Sequence, residues 1–280
     1  MKKKKRVVAV VLAIAAVIIA TVSLTFLADC GTEVPPPTPG KDTVITGIKE
    51  SPDKAAPENA IFAAIGKLKE AESYKSETVG TTVASKGSIF NYTQNVTGRT
   101  IKTENEFFVV SNSSSMFVDV LHEAYYKDGK IAYRKNGKEI IKTDKDAYAE
   151  IYGVTPDKLL SNHVYNQETI VKAEYSGEEN GLYTFTAELD KEKSNALLYK
   201  QMKDFGGLKN YPVFTENTVI TLVIKDNYEP VSLSYTSNYT ISIAFLGELC
   251  CVESETIVYS DINGIIAVPE EQEFIAALAE

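Results

Sequence analysis

From Val231 to Phe245 the chain alternates for fifteen residues. Val231, Leu233, Tyr235, Ser237, Tyr239, Ile241, Ile243 and Phe245 take the odd positions, and Ser232, Ser234, Thr236, Asn238, Thr240, Ser242 and Ala244 the even ones. Successive side chains of a strand point to opposite faces, so this pattern demands one buried face and one solvated face. At ~3.3 Å per residue the strand would run roughly 50 Å, well beyond the usual length. It fits within one domain only if it bends or coils, so it belongs in a curved sheet.

The rest of the chain supplies partners for such a strand. Pro57 suits a helical first turn, and Ile61, Ala64, Ile65, Leu68 and Ala71 recur at three and four residues, predicting a helix with one apolar stripe. After Tyr74 the period becomes two, with strands expected around Val79–Val83, Ile89–Thr93, Phe107–Val110 and Met116–Leu121. Ala124–Lys127, Ile131–Arg134 and Glu139–Lys142 are separated by Asp128-Gly129 and Asn136-Gly137, pairs that favour positive φ at both centres of a type I′ turn. Two tight hairpins and a three-stranded meander are expected there.

Asp144 and Thr155-Pro156 mark short helices toward Tyr152 and Leu160. Strands follow at Ile170–Ser176 and Leu182–Leu189, around Glu179-Asn180-Gly181. Asp190 caps a helix carrying Leu198, Met202 and Phe205, and a helical tail with Phe274, Ile275 and Leu278 follows Pro269. No segment repeats at a fixed period, which argues against solenoids and propellers. The expected fold is mainly β with added helices (α+β): one large curved antiparallel sheet of about eleven strands, covered by the N-terminal helix and short inserted helices.

The N-terminus sets the compartment. Lys2 to Arg6 are basic, Val7 to Ala28 carry no charge, and Cys30 follows. Such a run is a membrane anchor or an export signal, and in either case its positive end stays inside. Leu27-Ala28-Asp29-Cys30-Gly31 resembles the lipobox of bacterial lipoproteins, which implies lipidation of Cys30. Asp29 departs from the small residue normal at its position, so an uncut helical anchor stands beside the lipoprotein reading. Residues 1–30 are therefore read as signal peptide or anchor, 31–56 as a tether stiffened by Pro35-Pro36-Pro37, and 57–280 as the folded domain on the outer, extracellular side of the cytoplasmic membrane.

Charge narrows the partners. The chain is formally −9, and without Lys2–Arg6 and Asp29 it holds 24 basic against 37 acidic residues. A surface of that sign repels phosphates, so no nucleic acid is expected to bind. Cys250 and Cys251 are the remaining thiols, too few for a disulfide framework or a four-cysteine metal site, and as strand neighbours they should point to opposite faces.

The cysteine and tether, the helix running into Ser73-Tyr74-Lys75-Ser76, the turn Asp226-Asn227-Tyr228-Glu229-Pro230-Val231 and the closing Ile266-Ala267-Val268-Pro269-Glu270 resemble the lipoprotein-carrier superfamily of LolA, LolB and LppX-type proteins. The resemblance spans roughly Glu58 to Glu271. It implies an open half-barrel closed by helices around an apolar cavity that holds acyl chains, with no catalytic residues.

The residues themselves call for no enzyme, cofactor or metal. His122 and His163 lack a nucleophile or ligand spacing, and Ser113-Ser114-Ser115 lacks a Gly-flanked elbow and reads as a loop. Glu178-Glu179 and Glu270-Glu271 read as solvated turn and tail residues, although paired carboxylates of glycosidases need not be close in sequence. Two functions remain: a carrier of a lipid or other amphiphile, or a ligand-free envelope scaffold or sensor acting through another envelope protein. For the first, Ile61, Ile65, Leu68, Leu233, Tyr235, Ile241 and Ile243 are the apolar groups best placed to line a cavity.

Overall fold

A computed structural model describes residues 57–88, 90–104, 106–115, 119–144, 168–204, 212–243, 247–266 and 272–279. The segments expected to be the anchor, the tether and the short helices after Asp144 lie outside them, as do Cys30 and His163.

Twelve strands form one antiparallel sheet: β1 (Tyr74–Lys86), β2 (Phe90–Lys102), β3 (Glu106–Ser115), β4 (Asp119–Lys127), β5 (Lys130–Lys135), β6 (Ile141–Asp144), β7 (Ile170–Glu179), β8 (Leu182–Leu189), β9 (Val213–Phe214), β10 (Thr218–Ile224), β11 (Pro230–Ile243) and β12 (Gly247–Ser260). Their order is β6-β5-β4-β3-β2-β1-β12-β11-β10-β8-β7, with β9 added to β11 beyond the end of β10. The end strands β6 and β7 do not pair, so the sheet is open. That is the architecture expected, with one strand more than the eleven counted from sequence.

The long alternating strand is β11. Leu233, Tyr235, Ser237, Tyr239, Ile241 and Ile243 are buried, as the odd positions were expected to be. It pairs with β12 in constant register from Ile243↔Gly247 to Ser232↔Val258, while its ladder with β10 carries a bulge at Val223/Ile224. Bulges bend strands and increase twist, which supplies part of the curvature that its length requires.

Three helices pack on the sheet, the first and the last of them on opposite faces. α1 (Pro57–Glu70) starts with Pro57 and Glu58 in its first turn, where proline needs no donor and a carboxylate meets the positive helix end. It buries Ala60, Ile61, Phe62 and Ala64 and makes its main sheet contacts with β7, β8 and β11. α2 (Lys191–Asp204) is capped by Asp190, whose Oδ1 accepts the amides of Glu192 (2.8 Å) and Lys193 (2.9 Å). α3 (Gln272–Ala279) buries Phe274 against Phe108, with ring centres 5.4 Å apart, over β4 and β5. Arg134 lies 5.2 Å from the Phe274 ring and forks onto Glu123 (2.7 and 2.9 Å), while also reaching Glu273 (3.0 Å). None of the described helices is long and apolar enough to cross a membrane.

Several local expectations change. Ser113, Ser114 and Ser115 lie in β3, not in a loop, because their backbone groups pair with β2. Asp128-Gly129 closes a two-residue hairpin with Lys127 opposite Lys130, but Asn136-Gly137 does not. Both of those residues have positive φ (54° and 64°), and Lys138 N donates to Lys135 O, so the tight turn exists. Asn136 is instead tied back to β4, its Oδ1 accepting the Leu121 amide at 2.7 Å, and β6 rejoins β5 only at Tyr133↔Ile141. On β1, where a strand was expected around Val79–Val83, the valines point outward, with Val79 65% exposed, while Ser76, Thr82 and Ala84 face in.

Candidate functional site

Two apolar clusters occupy the ends of the inner face. One joins α1 to β8, β10, β11 and β12, including Ile61, Phe185, Leu222, Leu233, Tyr235, Tyr239, Ile241 and Ile243, with Ile65 packed against it. The other holds Ala124, Ile131 and Tyr133 of β4 and β5, with Tyr126 packed against it, whereas Ile101, Phe108, Tyr125, Ala132 and Phe274 form a third cluster on the opposite face of the sheet. Six of the seven residues expected to line a cavity therefore meet in one place, from two elements far apart in sequence. Leu68 is half-buried and stands outside that cluster.

Between these clusters the inner face turns polar. Thr82 on β1 sits opposite Gln94 on β2 and opposite Glu253 on β12, and Glu253 sits opposite Ser237 on β11. The row extends both ways: Gln94 Nε2 donates to Ser113 Oγ on β3, and Ser237 Oγ lies 3.0 Å from Thr218 Oγ1 on β10. All six side chains are buried, so a polar band crosses six strands, roughly 24 Å at the usual strand spacing. One step along β12, Glu255 is also buried, opposite Tyr235 on one side and Gly80 on the other. A Cβ at Gly80 would stand 3.1 Å from Glu255 Cγ, so the glycine makes room for this side chain.

Burial governs the electrostatics here. It pushes the Glu255 carboxyl up to about 8, with the neighbouring Glu253 adding to the rise and a hydrogen bond with Tyr235 opposing it. Burial, with the nearby Glu253 carboxyl adding to it, holds the Tyr239 phenol well above its ordinary value. Cys251 is pushed up to about 12, chiefly by burial, and is an unreactive core thiol, whereas Cys250 faces outward as the alternation requires. His122, its ring tilted against that of Tyr133, is lowered to about 4 by burial and is neutral near pH 7. Among the described residues no group of three or more His, Cys, Asp or Glu side chains is arranged to hold a metal ion.

A separate cleft of about 510 Å³ opens among Asn91, Tyr92, Thr93, Asn95, Ser114, Ser115 and Asp119. None of the seven residues expected to line a cavity borders it, so it is not the acyl-chain cavity expected from sequence.

Sequence reasoning missed Glu253 and Glu255. The apolar Val252 and Val258 lie on the outer face of β12, so its composition misleads about which side is buried. The usable signal was register: once Tyr235 and Ser237 face inward, constant antiparallel pairing forces Glu255 and Glu253 inward too.

No protein-family model matches the chain, and no curated protein matches its sequence. Among solved structures it is similar to a LolA superfamily protein from Nitrosomonas europaea, with 10% identity, 75% of this chain and 95% of that chain covered, and a TM-score of 0.25. A DUF1329 family protein from Desulfovibrio piger gives 10%, 78%, 95% and 0.27, and a β-barrel-like DUF1849 protein from Brucella abortus 10%, 68%, 99% and 0.22. These distant likenesses concern fold alone, and the strand ladders are what define the open sheet.

Proposed function

We propose that this chain is a membrane-tethered extracytoplasmic protein that holds a lipid or other amphiphile against the inner face of its open sheet. The observation that carries this reading is where the helices sit. The main contacts of α1 are with β7, β8 and β11 on the inner face, while α3 lies over β4 and β5 on the opposite face, so no described helix has its main contacts with the inner face of β12, β1 and β2. The inner face offers apolar walls and a polar band between them, the two chemistries that an amphiphile needs. Ile61, Ile65, Leu233, Tyr235, Ile241 and Ile243 form the wall for its acyl chain, each methylene of which gains about 0.8 kcal/mol on burial.

A fragment beginning at Lys41 contains every described element. It should retain lipid through purification in native mass spectrometry, and Leu233→Trp, which fills the wall, should lower the retained amount. A folded fragment free of lipid would overturn the reading and favour the scaffold or sensor. For the tether, radiolabelled palmitate should enter the full chain and be lost in Cys30→Ser, and equal labelling of both would leave an uncut helical anchor.

A further inference from the structure

We propose that the polar band is a recognition site for a primary ammonium group, so that the amphiphile held by this sheet carries an amine. The inference rests on the carrier reading above and specifies its ligand.

The argument begins with what the band lacks. Its long side chains are mostly acceptors: the Glu253 carboxyl and the Glu255 carboxyl, whose own proton a bound cation would displace, on one strand, and the Gln94 amide oxygen two strands away. Gln94 is 0% exposed and spends its Nε2 on Ser113, while its Oε1 has no hydrogen-bond partner. An amide oxygen buried without a donor is costly, so it points to a donor that arrives from outside. Gln94 and Glu253 face the same side across about 10 Å of sheet, a span that two long side chains can close over a shared guest.

Charge gives the sign of that guest. Glu253 and Glu255 are 1% and 4% exposed, two residues apart on the same face, and no basic group among the described residues acts on Glu255. Two carboxyls in so dry a place favour a cation between them over a neutral or anionic headgroup. On β11, Tyr235 stands opposite Glu255 and Tyr239 opposite Cys251, and ring faces attract ammonium ions. A primary ammonium offers three N–H donors and no acceptor, which complements carboxylates and an amide oxygen, whereas a quaternary ammonium would leave Gln94 unmet. Along β12 the inward residues run Leu249, Cys251, Glu253, Glu255, Ile257, so apolar surface continues on both sides of the charged pair for an attached chain.

The test uses the full chain carried in dodecyl maltoside micelles and released in a native mass spectrometer. Dodecylammonium, dodecyltrimethylammonium and dodecanoate, all with the same twelve-carbon tail, are added separately. One dodecylammonium should survive activation that strips the maltoside and the other two. Its retention should fall about tenfold or more in Glu255→Gln and in Glu253→Gln, the scale of one charged hydrogen bond. The headgroup comparison on the unaltered chain decides the matter even if a variant misfolds. Equal retention of all the dodecyl amphiphiles would overturn the ammonium site and leave the carrier reading intact. Retention of none would overturn both.

Discussion

Unfolding this protein should become easier as the pH rises from about 5 to about 8.5. The folded state holds a proton on Glu255 up to about 8, chiefly because burial disfavours the charge, whereas a carboxyl in the unfolded chain releases it near the ordinary 4.5. Between those values the folded state binds more protons than the unfolded one, so stability falls with increasing pH. The contribution is complete below about 4.5 and gone above about 8. At ~1.4 kcal/mol per unit it is worth up to about 5 kcal/mol, a large share of a typical domain's stability. The Tyr239 phenol and the Cys251 thiol beside the pair are both pushed up and stay neutral across this window. Urea midpoints measured at pH 5, 6.5 and 8.5 should decline in the natural chain and flatten in Glu255→Gln. An equally steep decline in that variant would assign the effect to another group.

Phe185→Ala should cost about 3–5 kcal/mol, measured as a lowered denaturant midpoint with an unchanged slope. Phe185 is wholly buried on β8, where it stands opposite Leu222 of β10 and packs 5.6 Å from the Tyr175 ring of β7. It belongs to the cluster that receives α1 through Ile61, so its removal leaves a cavity between sheet and helix instead of a gap that solvent can fill. Val79→Ala, on the outer face, should change stability by no more than about 0.5 kcal/mol. Comparable losses at the two positions would mean that the buried and exposed faces have been assigned wrongly.

Periodicity made the architecture legible wherever burial and hydrophobicity coincide. β11 announces itself because Leu233, Tyr235, Tyr239, Ile241 and Ile243 are apolar and inward, and α1 because its stripe repeats at helical spacing. The same logic fails where the interior is polar. On β1 and β12 the buried residues include Ser76, Thr82, Glu253 and Glu255 while valines face outward, so hydropathy reads those strands inside out. The meander was half legible for a different reason. Turn chemistry predicts φ at Asn136-Gly137 correctly, but the side-chain tie from Asn136 to Leu121 is a tertiary contact that a local pattern does not encode. The apolar wall could be read from single stripes. The polar band needed six strands in register before its members became neighbours.

The pairing of the first strand with the last has a consequence for how the chain is made. β1 to β6 follow one another across half of the sheet, as do β7, β8, β10, β11 and β12 across the other, and the halves join only where β1 pairs with β12. That seam runs from Lys75↔Ser260 to Ser85↔Cys250 and is clasped by Asn263, whose amide donates to Ser73 O and whose Oδ1 accepts the Glu72 amide. Its partners lie 165 to 191 residues apart, so closing it carries the entropy of nearly the whole domain, whereas each hairpin within a half closes cheaply. Folding should therefore wait on the last strand. A chain made from its N-terminus would keep its central strand β1 unpaired on one side until β12 emerged, and the finished sheet would form only after that last strand had been made.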